Sequence, residues 1–128
     1  MKLSEFLFRV HGKYQRTVAD LFSKRNLKMQ NSGPYISFTF DDFPISALYT
    51  GGAILRSFEL RGTYYASFGL MGTKAPTGNI FSVGDIKELL SQKHELGCHT
   101  FSHAHAWETN ATNFEESIVK NKLVLELP

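Results

Sequence analysis

The sequence predicts an α/β fold, an N-terminal helix followed by three βα units with a parallel sheet. Three observations carry this expectation. Apolar residues recur every three or four places over residues 4–28. Three short runs read as strands: 35–40, rich in β-branched and aromatic residues, then 63–68 and the short 95–100. Helical patterns separate those runs, and strands that alternate with helices pair in parallel, with right-handed crossovers.

Taken in order, Phe6, Leu7, Val10, Tyr14, Val18, Leu21 and Phe22 share one helix face, with Lys and Arg opposite. Asn31-Ser32-Gly33-Pro34 ends that segment, so the single domain expected over 1–128 divides into a helix and linker (1–33) and an α/β body (34–128). Tyr35 to Phe40 is the first strand. Ile45 to Leu60 carries a looser helical pattern, weakened by Gly51-Gly52. Arg61-Gly62 turns the chain into the second strand, Thr63 to Phe68. The loop from Gly69 to Phe81 holds Gly72, Pro76 and Gly78 and is a candidate neighbour of a binding site. Ser82, with Asp85 three places on, signals a helix N-terminus, and Ile86, Leu89 and Leu90 supply its buried stripe. Glu95 to Thr100 is the third strand. Residues 113–127 form a last helix that turns Phe114, Ile118 and Leu125 toward the core.

Composition narrows the function classes. A chain of 128 residues fits one domain with one real core. Residues 1–28 hold seven basic and two acidic residues, against seven and ten in the remainder. The plain reading of the basic arm is a solvated helix face, because no nucleic-acid motif accompanies it, and no nucleic-acid partner is expected. No apolar run of about 18 residues is present, so no membrane span is expected. Charges interrupt the N-terminal segment where a secretory signal would need an apolar core, which points to a cytoplasmic protein. Cys98 is the only cysteine, which excludes an intrachain disulfide; a buried structural thiol is expected. His11 is read as solvated, and His94 as a helix-end cation suited to the dipole. Asn110-Ala111-Thr112 matches a glycosylation acceptor and is read as chance.

Two motifs carry chemistry. Thr39-Phe40-Asp41-Asp42 ends the first strand, and His99-Thr100-Phe101-Ser102-His103 ends the third. Each alone is ordinary, since an Asp pair often caps a turn and a His pair often lies on the surface. In a parallel sheet, however, ligands bind at the carboxyl ends of strands, and both motifs fall on that rim. Imidazoles and a carboxylate bind Zn²⁺ or a similar divalent ion and leave a position for water. His99 and His103 are four apart, a spacing that a helical turn or compact loop can aim at one ion. In an extended chain Asp41 and Asp42 point to opposite faces, so one can bind metal while the other serves as base. His105 is expected to point elsewhere.

At these residues the chain resembles the polysaccharide deacetylases, the NodB-homology or family-four carbohydrate esterases. The family's Thr-Phe-Asp-Asp-Gly motif reads Thr39-Phe40-Asp41-Asp42-Phe43 here. Its His-Ser/Thr-x-x-His motif reads His99 to His103, after Gly97-Cys98. Arg61-Gly62-Thr63-Tyr64-Tyr65 looks like the family's second strand, so the resemblance covers about residues 35–127. It implies a partial (β/α) barrel, with Asp41 as general base and Asp42, His99 and His103 as ligands of a divalent metal, Zn²⁺ in the first place. It implies removal of acetyl groups from N-acetylated oligo- or polysaccharides. Phe43 departs from the motif's Gly, at a position near the family's substrate cleft. The family's later motifs, with an Arg that orients the base, an aromatic groove wall and a His general acid, have no counterpart in these 128 residues. A truncated, non-catalytic metal- or carbohydrate-binding remnant is the alternative. Three parallel strands cannot close on themselves, so a homo-oligomer or a complementary chain over the open half-barrel is expected, or else the N-terminal helix packed across it.

Overall fold

The computed structural model describes residues 3–22, 30 and 33–125. Helix α1 spans Leu3–Phe22; the expected continuation to residue 28 lies outside the described residues. Its Leu7, Val10, Tyr14, Leu21 and Phe22 are all exposed. The apolar stripe is therefore not packed across the body in the described structure. No described helix is long and apolar enough to cross a membrane.

The body is a parallel three-stranded sheet. Strand β1 (Thr39–Phe40) pairs with β2 (Thr63–Ala66), and β2 pairs in turn with a strand formed by Glu95–Cys98. The first run is shorter as a strand than expected. It lies at the sheet edge, and just before it the Phe38 carbonyl accepts from Thr63 N at 2.9 Å. Tyr35 and Ile36 are exposed. The second run stops at Ala66, because Ser67 leads into a 3-10 turn over Phe68–Leu70.

Between β1 and β2 the chain forms a wide π-type turn over Ala47–Gly52 and then α2, Ala53–Ser57. The two glycines that weaken the sequence pattern are what allow close packing here. A Cβ on Gly51 would come within 2.8 Å of the Phe40 ring, and one on Gly52 within 2.8 Å of the Tyr64 hydroxyl. The 69–81 loop contains a small antiparallel hairpin, β3 (Lys74–Ala75) and β4 (Gly78–Asn79). It delivers Ile80 and Phe81 to the core.

Helix α3 (Val83–Ser91) starts at the expected cap. Asp85 N donates to Ser82 Oγ at 3.4 Å, and Ser82 N donates to Asp85 Oδ2 at 2.7 Å. Tyr49 Oη also donates to Asp85 Oδ1 at 2.9 Å. Burial would raise the Asp85 pKa, but the hydrogen bonds from Ser82 and Tyr49 outweigh it and hold the carboxyl below its ordinary range. Leu89 is buried, whereas Leu90 is exposed and not part of the stripe. The Glu95–Cys98 strand, here β5, follows α3 directly.

The core is Phe43, Leu48, Tyr64, Ala66, Phe68, Ile80, Phe81 and Leu89, with Ala47 beside them. Phe43 corrects an expectation. It is fully buried, stacked on Phe81 at 4.9 Å and tilted against Tyr64 at 5.1 Å, so it builds the core and does not line a cleft. Its φ of 44° lies in the left-handed region, where a non-glycine residue is strained by about 1–2 kcal/mol. Burial of a phenyl ring outweighs that strain.

Helix α4 (Ala111–Leu125) is capped by Asn110, whose Oδ1 accepts from Asn113 N at 2.9 Å. The helix packs differently from its apolar pattern. Ile118 and Leu125 are exposed, while Ser117 and Asn121 are buried. Asn121 Oδ1 accepts from Phe68 N at 2.9 Å, and its Nδ2 donates to Ala66 O at 2.9 Å. Ser117 Oγ accepts from Phe101 N at 3.0 Å and Ser102 N at 3.3 Å. The helix is therefore tied to the ends of β2 and β5 by polar groups one turn apart.

Candidate metal centre

Strands β1 and β5 flank β2, so the two motifs start about 9–10 Å apart, two strand spacings. Both leave the carboxyl end of the sheet, as the sequence implies. Closing that gap takes small residues above β2 and sharp turns beyond β1 and β5. Ala66 and Ser67, both fully buried, end β2 without bulk. Ser67 Oγ donates to His99 O at 2.8 Å, and His99 N donates to Ala66 O at 3.1 Å. The backbone of His99 is thus fixed on both sides to the central strand.

The turns use backbone that most residues avoid. Asp42, Thr100 and His103 have φ of 61°, 58° and 54°. For β-branched Thr100 this is a genuine outlier. It is held there by its own side chain, whose Oγ1 accepts from Ala104 N at 2.7 Å, and by the Ser117 contacts to Phe101 and Ser102. Asp42 leaves the extended path, so the alternation that would set Asp41 and Asp42 on opposite faces does not apply at this point of the chain.

These turns bring Asp42, His99 and His103 together. Asp42 Oδ1 lies 3.5 Å from His99 Nε2 and 3.0 Å from His103 Nε2. One ligand atom from each of the three falls within 4.8 Å of the others. Ligands held 2.0–2.1 Å from one tetrahedral ion stand roughly 3.3 Å apart, a spacing that the 3.5 Å and 3.0 Å separations bracket. Asp42 Oδ1 is buried and makes no hydrogen bond among the described residues, as expected of a carboxylate oxygen suited to a cation. All three side chains are about one-third exposed, which leaves an approach from solvent. The residues present fit a divalent metal of the Zn²⁺ type.

Asp41 is exposed and precedes the turn. His105 is not among the three converging residues, yet its ring stands edge-on to His103 at 5.1 Å and stacks on Trp107 at 5.3 Å. Sequence periodicity missed this ring series, because residues 99–107 form neither a strand nor a helix. It also missed Ser117 and Asn121, whose only signal is a polar i, i+4 pair on a helix expected to bury apolar groups.

Cys98 and His94 depart from expectation. Cys98 is exposed, with its Sγ accepting from Asn121 Nδ2 at 3.3 Å. His94 is almost fully buried and carries no helix-end charge. Its Nδ1 accepts from Gly62 N at 3.1 Å, which places the ring proton on Nε2, an atom with no partner among the described residues. Burial, then the charges of Arg61 and Arg56, push its pKa below the usual imidazole value.

No curated protein and no solved structure matches the chain. The polysaccharide deacetylase family model does, over residues 28–127. That span includes the sheet, both motif-bearing turns and the helix that ties them down, and the chain belongs to the polysaccharide deacetylase family.

Proposed function

We propose that the chain is a metal-dependent hydrolase that removes acetyl groups from N-acetylated sugars, breaking a non-peptide C–N bond. The observation that carries this is the convergence of Asp42 Oδ1, His99 Nε2 and His103 Nε2 on one rim of a parallel sheet. Of the six described non-glycine residues in left-handed backbone, four (Asp42, Phe43, Thr100 and His103) lie in the turns that produce the convergence, which supports the reading, since such strain clusters at functional sites. Asp42, His99 and His103 would hold the ion, with Zn²⁺ favoured by two imidazoles and one carboxylate. When bound, a divalent ion supplies Lewis acidity, lowering the pKa of water and polarising a carbonyl. Asp41, adjacent to Asp42 and exposed, would accept the proton released by the attacking water. The buried Asn121 and Ser117 contacts keep the His99–His103 loop in place while this happens.

The architecture we infer behind the three strands is a partial (β/α) barrel in one domain, its 34–128 body preceded by the helix and linker of 1–33. The edge location of β1 and the exposed Tyr35 and Ile36 favour pairing with a second copy or a complementary chain. Release of acetate from a chitooligosaccharide, with added zinc and with chelator, tests the function. We expect one zinc per chain, turnover that chelator abolishes, and an Asp41→Asn variant that is inactive but keeps its zinc. Zinc bound without turnover would leave the non-catalytic alternative in its place.

A further inference from the structure

His99 and His103 also line a cleft of about 370 Å³, shared with Ala104, Trp107, Phe114 and Ile118. This volume is at the lower end of the roughly 300–1,000 Å³ of small-molecule sites. It suits a short segment of a polymer or a single small ligand. Trp107 is the residue that gives the cleft its character. It is half-exposed, and its Nε1 already donates to Glu108 Oε1 at 3.2 Å. Its polar edge is therefore occupied, and what it offers a ligand is the apolar face. The His105 ring stacks on it at 5.3 Å and 27°, and His105 in turn meets His103 edge-on. A continuous series of rings thus connects the indole to two of the three converging residues.

The rest of the lining restricts the ligand class. The Thr100 hydroxyl already accepts from Ala104 N. No Lys or Arg lines the cleft, so a phosphate or other anion has no countercharge there. Apolar faces with few free polar groups match the C–H face of a pyranose ring, whose hydroxyls project sideways into water.

We propose that this cleft is a saccharide subsite in which a pyranose ring stacks on Trp107, next to the ring whose acetamide meets Asp42, His99 and His103. The choice of ligand rests on the deacetylase reading; the contact with Trp107 does not need hydrolysis. Trp107 is the only tryptophan in the chain, so its emission reports this cleft directly.

The probe is chitotriose, titrated into the full chain with and without zinc and followed by tryptophan emission and by calorimetry. A saturable emission change is expected. Trp107→Ala should weaken calorimetric affinity by about tenfold or more, and Trp107→Phe should restore most of it. Zinc content and urea midpoint should be unchanged in both. Asp42→Asn should lose zinc, hydrolysis and the acetamide contact, yet adding Trp107→Ala to it should still weaken chitotriose affinity by about tenfold, since the indole acts separately. Equal affinity in wild type and Trp107→Ala, or no binding by wild type, overturns the subsite. Trp107-dependent binding in a zinc-loaded protein that never releases acetate supports the subsite and sinks the deacetylase reading instead.

Discussion

Asn121 gives the most direct test of how this site is held. Its side chain serves two backbone groups of buried residues, accepting from Phe68 N and donating to Ala66 O, each at 2.9 Å. Asn121→Ala removes both contacts and leaves Phe68 N without a partner, while Ala66 O keeps its bond from His99 N. The orphaned Phe68 N costs about 1–3 kcal/mol and the lost bond to Ala66 O about 0.5–1.5 kcal/mol, so the variant should lose about 1.5–4.5 kcal/mol. Against the 5–15 kcal/mol typical of a folded domain that is a large fraction. With a urea m-value of about 2 kcal/mol/M, the midpoint should fall by about 0.8–2.3 M at unchanged m. Ala66 O also accepts from His99 N, so the same change loosens the strand end that carries His99, and zinc affinity should fall with stability. Urea unfolding followed by far-UV circular dichroism reads the first effect, and a competitive zinc titration the second. A loss below about 0.5 kcal/mol, the range of an ordinary surface substitution, would refute the claim that α4 is anchored through Asn121.

Other expectations follow from single contacts. Phe43→Gly relieves about 1–2 kcal/mol of left-handed strain but removes a ring whose loss costs about 3–5 kcal/mol; thermal unfolding should show net destabilisation, and a stabilised variant would mean the ring is not packed as described. His94 has a lowered folded pKa, so its neutral form supports the fold above the ordinary imidazole value of 6.5 and that support is lost as pH falls below it. Unfolding free energies at pH 7.5 and 5.5 should therefore differ by less in His94→Gln than in wild type. Asp85 is also lowered, so its contribution is present above 3.8 and lost as pH falls through the lower folded value. Ser82→Ala should cost about 0.5–2 kcal/mol at neutral pH by removing the cap, and should flatten the acid limb of the stability curve below pH 4.

By itself the sequence determined the order of elements, the parallel pairing and the two motifs at strand ends. Those depend on local periodicity and on residue types that read the same in any context: Thr, Tyr and Phe in the first two strands, Ser82 with Asp85 at a helix start. It also carried the family, through Asp41-Asp42 and His99-x-x-x-His103. Tertiary structure decided the rest. Phe43, read as a cleft residue, went to the core because the chain reverses at Asp42 and turns that side chain under Phe81. Leu90, Ile118 and Leu125 went to the surface; Ser117 and Asn121 went inside, where the Phe101 and Phe68 amides take polar partners that no apolar side chain can supply. The convergence of Asp42 with His99 and His103 spans the full width of the sheet. Such a distance is bridged by turns in left-handed backbone, which periodicity does not encode.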